Sequence, residues 1–201
     1  MVLGLMLSAA ATAQVTWNVK GGVGIAANIT DADVNTKNKM VAKFGIGAEK
    51  QFSPDLSLMP SLEFATKGGR YGLKNIDGEE ELTLYYLQLP VLLAYRFNAA
   101  DYLNITAKAG PYLAYALSGR LRHGYNYAGN YYESKIDIFD RNLSGITKTA
   151  KRFDVGLDAG VDFEMRRFVL GLEYEVGLMS MAPNDRTIDN QAVYLTIGYK
   201  F

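Results

Sequence analysis

Cysteine is absent from the 201 residues, and histidine occurs only once, as His123. Disulfide bonds and thiol chemistry are therefore excluded, and a metal site built on several histidines cannot form. Basic and acidic side chains balance at 21 each, so the chain lacks the net positive charge typical of proteins that bind nucleic acids. We expect neither a metal site nor a nucleic-acid partner.

The N-terminus lacks an apolar run long enough to cross a bilayer as a helix, since VLGLMLSAA covers only residues 2–10. This run is followed by Ala11-Thr12-Ala13, the A-x-A pattern that precedes the cleavage site of a signal peptide. We therefore expect residues 1–13 to be the remnant of a signal peptide and residues 14–201 to form the exported domain. A buried or disordered apolar tail is the alternative.

A nucleotide-binding motif is suggested by Gly22, Gly24 and Ala27, whose spacing matches the G-x-G-x-x-A fingerprint of a dinucleotide-binding turn. That fingerprint requires an amphipathic helix directly after the glycines. The segment that follows, NITDADVNTKNKM, has no apolar face at helical spacing. We therefore predict that the chain binds no cofactor, and the glycines need another explanation.

The dominant pattern in the sequence is the alternation of apolar and polar residues. From Val15 to Ala27 the odd positions are apolar or glycine, whereas the even positions are polar or small. Such alternation is typical of a β-strand with a different environment on each face. The pattern recurs along the chain in seven more segments and is clearest over residues 153–165, where apolar residues alternate with acids and glycines.

The connections between these segments alternate in length. We expect long connections near 29–39, 68–81, 118–151 and 180–190, and short ones near 53–55, 98–101 and 166–167. Strands of about nine to fourteen residues joined in this way are typical of outer-membrane barrels, with long loops outside the cell and tight turns in the periplasm. We predict an all-β fold: an eight-stranded antiparallel up-and-down transmembrane β-barrel with periplasmic termini, in the outer membrane of a Gram-negative bacterium.

A soluble, lipocalin-like binding barrel is the alternative fold, and it would turn the apolar set inward. The aromatic members of the apolar set instead lie mostly beside the chain termini or the short turns, as in an interfacial girdle. These residues are Trp17, Phe52, Phe97, Phe163, Phe168, Tyr199 and Phe201. The pattern therefore favours contact with outer-membrane lipids.

The polar set mixes acids and bases. Charges enclosed in a narrow barrel must pair, so we expect them to plug the lumen, with the glycines making room for the long side chains. The acids are Asp154, Asp158, Asp162 and Glu164, and the bases are Lys20, Lys43, Arg96, Lys108 and Lys200. A pore is the alternative function for these charged residues.

Pro60 and Pro90 lie inside predicted strands. Because proline lacks a backbone donor, we expect a bulge or an end of strand pairing there.

Four segments carry a family resemblance: YLQLPVLLAYRF, AGPYLAYALSG, FDVGLDAGVDFEM and the closing LTIGYKF. They resemble the PorT-like outer-membrane β-barrel domain family of the Bacteroidota, over essentially the whole exported domain. The resemblance implies a small outer-membrane barrel of the cell envelope. One member of that family is linked to protein secretion, so a structural or adhesive role, or a place in a surface or secretion assembly with an envelope protein as partner, is the expected function.

The best candidate for partner binding is the segment 118–151. It contains arginine and tyrosine around Ala128-Gly129-Asn130, which indicates a hairpin turn, and these side-chain types are enriched at interface hot spots. The candidate residues are Arg120, Arg122, Tyr125, Tyr127, Tyr131 and Tyr132. The alternative is that two strands simply continue above the membrane and use tyrosine as a good strand former.

Catalysis and barrel assembly make separate demands on the sequence. An outer-membrane lipid-modifying enzyme of the serine hydrolase type would need His123 as its base, with Ser118 or Ser144 beside it. A single histidine in a loop is usually only solvated, so we expect no enzymatic activity.

The chain ends on Tyr199 and Phe201, which resemble the C-terminal signal that barrel-assembly machinery recognises.

Overall fold

The computed structural model describes residues 15–30, 35–72, 78–127, 130–139, 151–179 and 188–201. The signal-peptide remnant expected at residues 1–13 lies outside these ranges. Within them, no helix is long and apolar enough to span a membrane. The strands are β1 (Val15–Thr30), β2 (Asn35–Lys37), β3 (Lys39–Gln51), β4 (Leu56–Gly72), β5 (Gly78–Ala100), β6 (Leu103–Tyr127), β7 (Asn130–Asp137), β8 (Phe153–Met165), β9 (Phe168–Gly177) and β10 (Ile188–Lys200).

Eight of these strands form a closed antiparallel barrel, which confirms the predicted fold. Neighbours along the chain are neighbours in the sheet, in the order β1, β3, β4, β5, β6, β8, β9 and β10. The barrel closes where β10 pairs with β1, from Asn18 opposite Lys200 to Thr30 opposite Ile188. Strands β2 and β7 are short additions that pair with β4 and β6. Closure leaves the eight barrel strands without a free edge, as backbone groups in lipid require.

The two faces of the barrel wall differ as the alternation predicts. Along β8 and β9 the acids and glycines are buried inside, whereas the apolar residues between them are exposed outside. Ile197 and Val23 are examples, with 70% and 59% of their surface exposed. A soluble lipocalin-like barrel would have the opposite arrangement, so the outer face is suited to lipid.

Aromatic side chains surround the barrel near both ends. At the end that carries the turns at residues 52–55, 101–102 and 166–167, here called the turn end, Tyr199 packs edge-on against both Phe168 and Phe201 at centroid distances of 5.4 Å. Toward the opposite end, here called the hairpin end, the ring of Phe64 lies 6.3 Å from Phe44 and 6.1 Å from Tyr85. Such rings mark the two interfaces of a lipid-facing band.

Several connections at the hairpin end are shorter than predicted because the strands continue beyond the lipid-facing band. Strands β5 and β6 contain 23 and 25 residues. The connection expected at 68–81 is largely paired, from Gly68 opposite Thr83 to Gly72 opposite Glu79. The loop expected at 118–151 begins with the end of β6 and continues with β7, so its first half is a β-hairpin rather than a loop.

Pro60 and Pro90 interrupt the ladders beside them without changing the register. The β4–β5 ladder stops at Pro60 and resumes at Glu63, and the β5–β6 ladder stops at Pro90 and resumes at Leu93. The predicted end of pairing is therefore observed locally, because proline lacks the backbone donor. The register shifts between β5 and β6 lie elsewhere, at Tyr85/Tyr86 and Asn98/Ala100.

The glycines of the apparent nucleotide fingerprint lie in the middle of β1, which continues as a strand to Thr30. A Cβ atom at Gly24 would lie 2.1 Å from the Val193 carbonyl oxygen and 2.9 Å from Cδ1 of Tyr194. Gly21, on the outer face, would place its Cβ no closer than 3.9 Å to a backbone oxygen of β3. The inward glycines therefore admit neighbouring side chains and backbone into a narrow lumen.

We predict that Gly24→Ala lowers the free energy of unfolding by about 1–3 kcal/mol, because the added methyl group overpacks the interior. Gly21→Ala is the matched control and should be neutral or stabilising by about 0.5–1 kcal/mol, since glycine is unfavourable in a strand. Urea unfolding in detergent micelles, followed by the fluorescence of the single tryptophan, measures both. Equal stability of the two variants would contradict this account of the glycines.

Candidate functional site

The centre of the lumen is filled by an ion-pair network around Lys43. Its ammonium group lies 2.9 Å from Glu175 Oε1 and 3.5 Å from Glu63 Oε2, and it also contacts Glu173. Both Lys43 and its acidic partners are almost fully inaccessible to solvent. The strands β3, β4 and β9 are thereby joined across the lumen. Because alternate residues point inward, each strand delivers its charged side chain to the same level.

Three further lysines complete this network. Lys20 lies 2.7 Å from Glu63 and 2.9 Å from Glu173, and Lys108 lies 2.7 Å from both Asp162 and Glu173. Lys67 lies 2.8 Å from Glu175. Glu63, Glu173 and Glu175 are therefore each shared by at least two ammonium groups, and such pairing is the condition under which buried charges are tolerated.

The carboxylates of Glu63, Glu173 and Glu175 come within 4.8 Å of one another, as the ligands of a cation would. The ammonium groups of Lys20, Lys43 and Lys67 already lie among them. We therefore regard this cluster as a set of internal ion pairs rather than a metal centre.

A second cluster closes the lumen at the turn end. The Arg96 guanidinium lies 2.6 Å from Glu49, and Lys200 lies 2.7 Å from Glu49 and 2.6 Å from Glu164. Thr106 donates a hydrogen bond of 3.0 Å to Glu164. Below this cluster a polar cavity of about 270 Å³ opens at the turn end. The cluster forms the inner end of that cavity and lies between it and the central network.

Three buried tyrosines, Tyr86, Tyr112 and Tyr194, cover the central network on its other side. The ammonium group of Lys67 lies 4.0 Å from the ring centroid of Tyr112, and that of Lys43 lies 4.5 Å from the ring of Tyr194. Tyr112 donates a hydrogen bond of 3.2 Å to Asp154. Contacts between a cation and an aromatic ring are strongest where water is excluded, so these rings add to the closure of the lumen.

At the hairpin end, Phe139 packs inside the mouth of the barrel. It is buried with Leu84, Tyr86 and Tyr112, and the Arg152 guanidinium lies 4.2 Å from its ring. The chain reaches this position directly after β7, where the backbone N–H of Ile138 donates to the Gly119 carbonyl at 3.1 Å. An aromatic residue therefore caps the ion-pair network from above.

The structure brings together most of the charged residues that the sequence placed inside. Lys20, Lys43 and Lys108 meet in the central network, while Arg96 and Lys200 meet in the turn-end cluster. Among the predicted acids, Asp162 and Glu164 are ion-paired, Asp154 bonds a tyrosine, and Asp158 is buried without a direct hydrogen bond. The role of Phe139 as a cap could not be predicted from the sequence, because no periodic pattern marks its segment.

The predicted partner-binding residues belong to the β6–β7 hairpin. Arg120 and Arg122 are exposed. The backbone of Tyr125 pairs with that of Tyr132, and Asn126 pairs with Tyr131. Pairing of Tyr127 with Asn130 confirms a hairpin, although Ala128 and Gly129 themselves lie outside the described residues. The candidate tyrosines therefore lie on paired strands rather than on an open loop.

His123 lies on β6, not in a loop. Its Nδ1 is 2.9 Å from Glu80 Oε1, and Ser134 is the residue opposite it on β7. Within the described ranges, no hydrogen bond joins His123 to a serine hydroxyl, and Ser144 lies outside them. Ser118 is five residues away from His123 on the same strand, and four pairs of the ladder lie between them. A carboxylate–imidazole pair is present, but a contact with a nucleophile is not.

The C-terminal residues lie where the barrel closes. The backbone N–H of Phe201 donates to the Trp17 carbonyl at 2.9 Å, and Phe201 exposes 65% of its surface at the turn end. Tyr199 packs between the rings of Phe168 and Phe201. The terminal aromatic is therefore placed as an interfacial anchor on the closing strand; recognition by assembly machinery stays a prediction.

Comparisons with known proteins agree with this architecture. Residues 10–182 match a family model described as "Outer membrane protein beta-barrel domain". No curated protein matches the sequence. The outer membrane protein OprG from Pseudomonas aeruginosa has a similar structure, with a TM-score of 0.52 and 10% identity over 92% of this chain and 95% of that one.

Two other solved structures are similar at lower scores. Neisserial surface protein A has a TM-score of 0.49 and 14% identity, and Ail, the attachment invasion locus protein of Yersinia pestis, has a TM-score of 0.45 and 16% identity. Each comparison covers 94% of this chain and 99% of the other. At these identities the likeness shows the fold alone.

We predict that Lys43→Met lowers the free energy of unfolding by about 3–5 kcal/mol, because it leaves buried carboxylates without their central cation. Lys151→Met removes an exposed lysine of the same kind and serves as the control. Urea unfolding of the detergent-solubilised barrel compares the two. Similar midpoints would show that the network around Lys43 does not stabilise the barrel.

Proposed function

This chain belongs to the outer membrane protein beta-barrel domain family, and on that premise we propose that it is a closed, non-enzymatic barrel that presents a binding surface outside the cell. The role is structural or adhesive, or that of a subunit in a surface or secretion assembly. Within the family we assign the chain to the PorT-like group, on the segments YLQLPVLLAYRF and FDVGLDAGVDFEM.

The observation that carries this proposal is the paired extension of β5, β6 and β7 beyond the lipid-facing band. Strand β6 pairs with β5 as far as Tyr125 opposite Gly78, and with β7 from Arg120 opposite Asp137 to Tyr127 opposite Asn130. A sheet fixed by backbone hydrogen bonds loses little conformational entropy when a partner binds, so it is a better platform than a flexible loop.

The closed lumen supports the same proposal. The ion pairs around Lys43, the cluster at the turn end and the cap of Phe139 fill the interior at three levels. Among the described residues, the cavity lined by Lys20, Lys108 and Asp162 has a volume of about 40 Å³, which suits water rather than a larger transported solute. The side chains available to a partner then lie on the outer wall and at the two ends, where the β6–β7 hairpin is a paired extension.

The proposed orientation places the hairpin end outside the cell and both termini in the periplasm. Outer-membrane barrels have short periplasmic turns and longer extracellular connections. Here the turns at 101–102 and 166–167 contain two residues each, and they lie at the opposite end from the hairpin. The aromatic C-terminus also lies at the turn end, near the ring of Phe168.

A lipid-modifying serine hydrolase is the alternative function, and the pair of His123 and Glu80 is the observation in its favour. The face of the sheet on which this pair lies favours a structural role instead. His123 lies on the face of the hairpin that continues the barrel interior, since its neighbour two positions away, Leu121, pairs with the partly buried Leu82. A catalytic serine acting on membrane lipid would have to face the outer wall. We therefore propose that the pair stabilises the hairpin.

The absence of native cysteine makes a single-cysteine experiment possible. Ser134→Cys places a thiol on the exposed face of β7, and Tyr102→Cys places one on an exposed turn at the turn end, where the tyrosine is 70% accessible. Intact cells are treated with a membrane-impermeant reagent that reacts with thiols and crosslinks on irradiation. We expect the hairpin thiol to react in intact cells and to yield a crosslinked envelope or surface protein.

The turn-end thiol is the matched control and should react only after the outer membrane has been permeabilised. Reaction of the turn-end thiol alone in intact cells would mean that the orientation is the reverse. Reaction of the hairpin thiol without any crosslinked protein would contradict the proposed binding surface.

A further inference from the structure

Two adjacent arginines line the polar cavity at the turn end, here called the turn-end cavity. Arg166 and Arg167 form the two-residue turn between β8 and β9, and both are exposed. Within the described ranges, neither guanidinium is ion-paired to a carboxylate. Nη1 of Arg167 donates a long hydrogen bond of 3.5 Å to the Tyr199 hydroxyl. Most of their donors are therefore available to a molecule in the cavity.

The lining of the turn-end cavity carries more positive than negative charge. Its other charged residues are Glu49, Glu164, Arg96 and Lys200. These two acids and two bases neutralise one another in the turn-end cluster, at distances of 2.6 or 2.7 Å. A terminal carboxylate on Phe201, which also lines the cavity, offsets at most one of the two turn arginines. At least one positive charge therefore remains without a counter-charge.

The other charged residues near this end do not change that balance. Asp55 and Asp101 lie on the turns at residues 52–55 and 101–102, but neither lines the cavity. Lys50 lies with its ammonium group 5.9 Å from the ring centroid of Phe52, away from the cavity lining. The chain as a whole has no net charge, so the excess at the turn-end cavity is a local feature.

The backbone of Arg166 has a conformation that arginine rarely adopts. Its φ of 56° lies in the left-handed region, and it is the one non-glycine residue with a positive φ in the described part of the chain. Glycine, asparagine or aspartate is usual at such a position in a two-residue turn, because they adopt it at lower cost. Strained residues of this kind cluster at binding sites. The turn itself gains nothing from arginine here, which favours a role for the guanidinium.

Uncharged polar groups complete the lining of the turn-end cavity. Thr16 on β1, Gln51 on β3 and Asn104 on β6 carry hydroxyl or amide donors that can bond an oxyanion. The cavity has a volume of about 270 Å³, which accommodates a phosphate group together with several water molecules. Both the donors and the space for an oxyanion are therefore present.

We propose that the turn-end cavity binds the phosphate group of a phosphomonoester, held by Arg166 and Arg167. Each guanidinium can donate two parallel hydrogen bonds to phosphate oxygens, and two arginines match the charge of about −2 on a phosphomonoester at neutral pH. The ester is either a soluble molecule or the headgroup of a lipid beside the turn end, since both present the same group. The cavity lies at the opposite end from the β6–β7 hairpin, so this site is additional to the proposed binding surface.

The test measures binding of glycerol phosphate to the protein purified from outer membranes in an uncharged detergent. Isothermal titration calorimetry compares two variants with equal losses of charge. Arg166→Gln with Arg167→Gln should weaken binding at least about 10-fold, because hydrogen bonds to charged groups each contribute about that factor. Lys50→Gln with Lys151→Gln removes two lysines outside the cavity and should change the affinity less than about twofold, since salt screens distant charges.

A third variant separates binding from folding. Arg166→Gly removes one guanidinium and relieves the backbone, because glycine adopts a positive φ without a steric clash. Its midpoint of urea unfolding should be no lower than that of the native protein, whereas its affinity for glycerol phosphate should fall. Slower migration of each variant after boiling than before it, on a gel, shows that the barrel is folded.

Two further ligands identify the class of molecule. Phosphatidic acid in mixed micelles carries the same phosphomonoester on a lipid, so binding tighter than that of glycerol phosphate assigns the site to a lipid headgroup. Weaker binding of phosphatidic acid assigns it to a soluble ester. Succinate has two carboxylates in place of the phosphate and should bind more weakly than glycerol phosphate, because its charges are further apart.

Equal losses for the arginine pair and the lysine pair would overturn the proposal, because binding would then reflect net charge rather than the turn-end cavity. It would also be overturned if the native protein bound neither phosphomonoester, or bound succinate more tightly than glycerol phosphate. Loss of binding confined to the arginine variants, with Arg166→Gly folded at least as stably as the native protein, supports it.

Discussion

Charge neutralisation inside a narrow lumen is the constraint on which the rest of this barrel depends. Eight strands close around a space that only just accommodates side chains, so every inward residue must fit its neighbours in both volume and charge. The network around Lys43 meets the second demand, since each central carboxylate is shared by several lysines. Glycine at positions such as Gly24 meets the demand on volume, because even a methyl group would collide with the neighbouring strand β10.

Because the interior is filled with side chains, the surfaces that a partner can reach lie on the outside of the barrel. Backbone closure satisfies the hydrogen-bonding groups that lipid cannot satisfy, and the outward apolar residues face the hydrocarbon. Beyond that band the β5–β6–β7 sheet keeps its pairing, and its two faces differ. One face carries the pair of His123 and Glu80 above the cap of Phe139, while the other carries Arg120 and Arg122.

Much of this architecture could be predicted from alternation alone. The periodic pattern over residues 153–165 indicates which side chains of β8 face inward, and Asp162 is ion-paired there as expected. The lengths of β5 and β6 could not be predicted, because hairpin-end segments such as RLRHGYNY are polar on both faces and lose the contrast between faces. Pairing partners such as Glu81 and Arg122 depend on register, which the sequence does not encode locally.

The position of Phe139 illustrates the other limit. A single aromatic residue after a polar strand has no periodicity, yet the register shift at Tyr85/Tyr86 and the absence of a side chain at Gly119 let it enter the barrel mouth. Such a contact depends on one bulge and one glycine on a neighbouring strand. Only the three-dimensional structure brings these features together.

The most direct measurement of the central claim is conductance across a planar lipid bilayer containing the folded protein. The native barrel should give no resolved conductance steps. A variant in which Lys43, Glu63, Glu173, Arg96, Lys200 and Phe139 are all replaced by alanine should give them, since it removes side chains from all three levels that fill the lumen. Stable conductance of the native barrel, at a level similar to that of this multiple variant, would show that the native side chains leave a path and do not close the lumen.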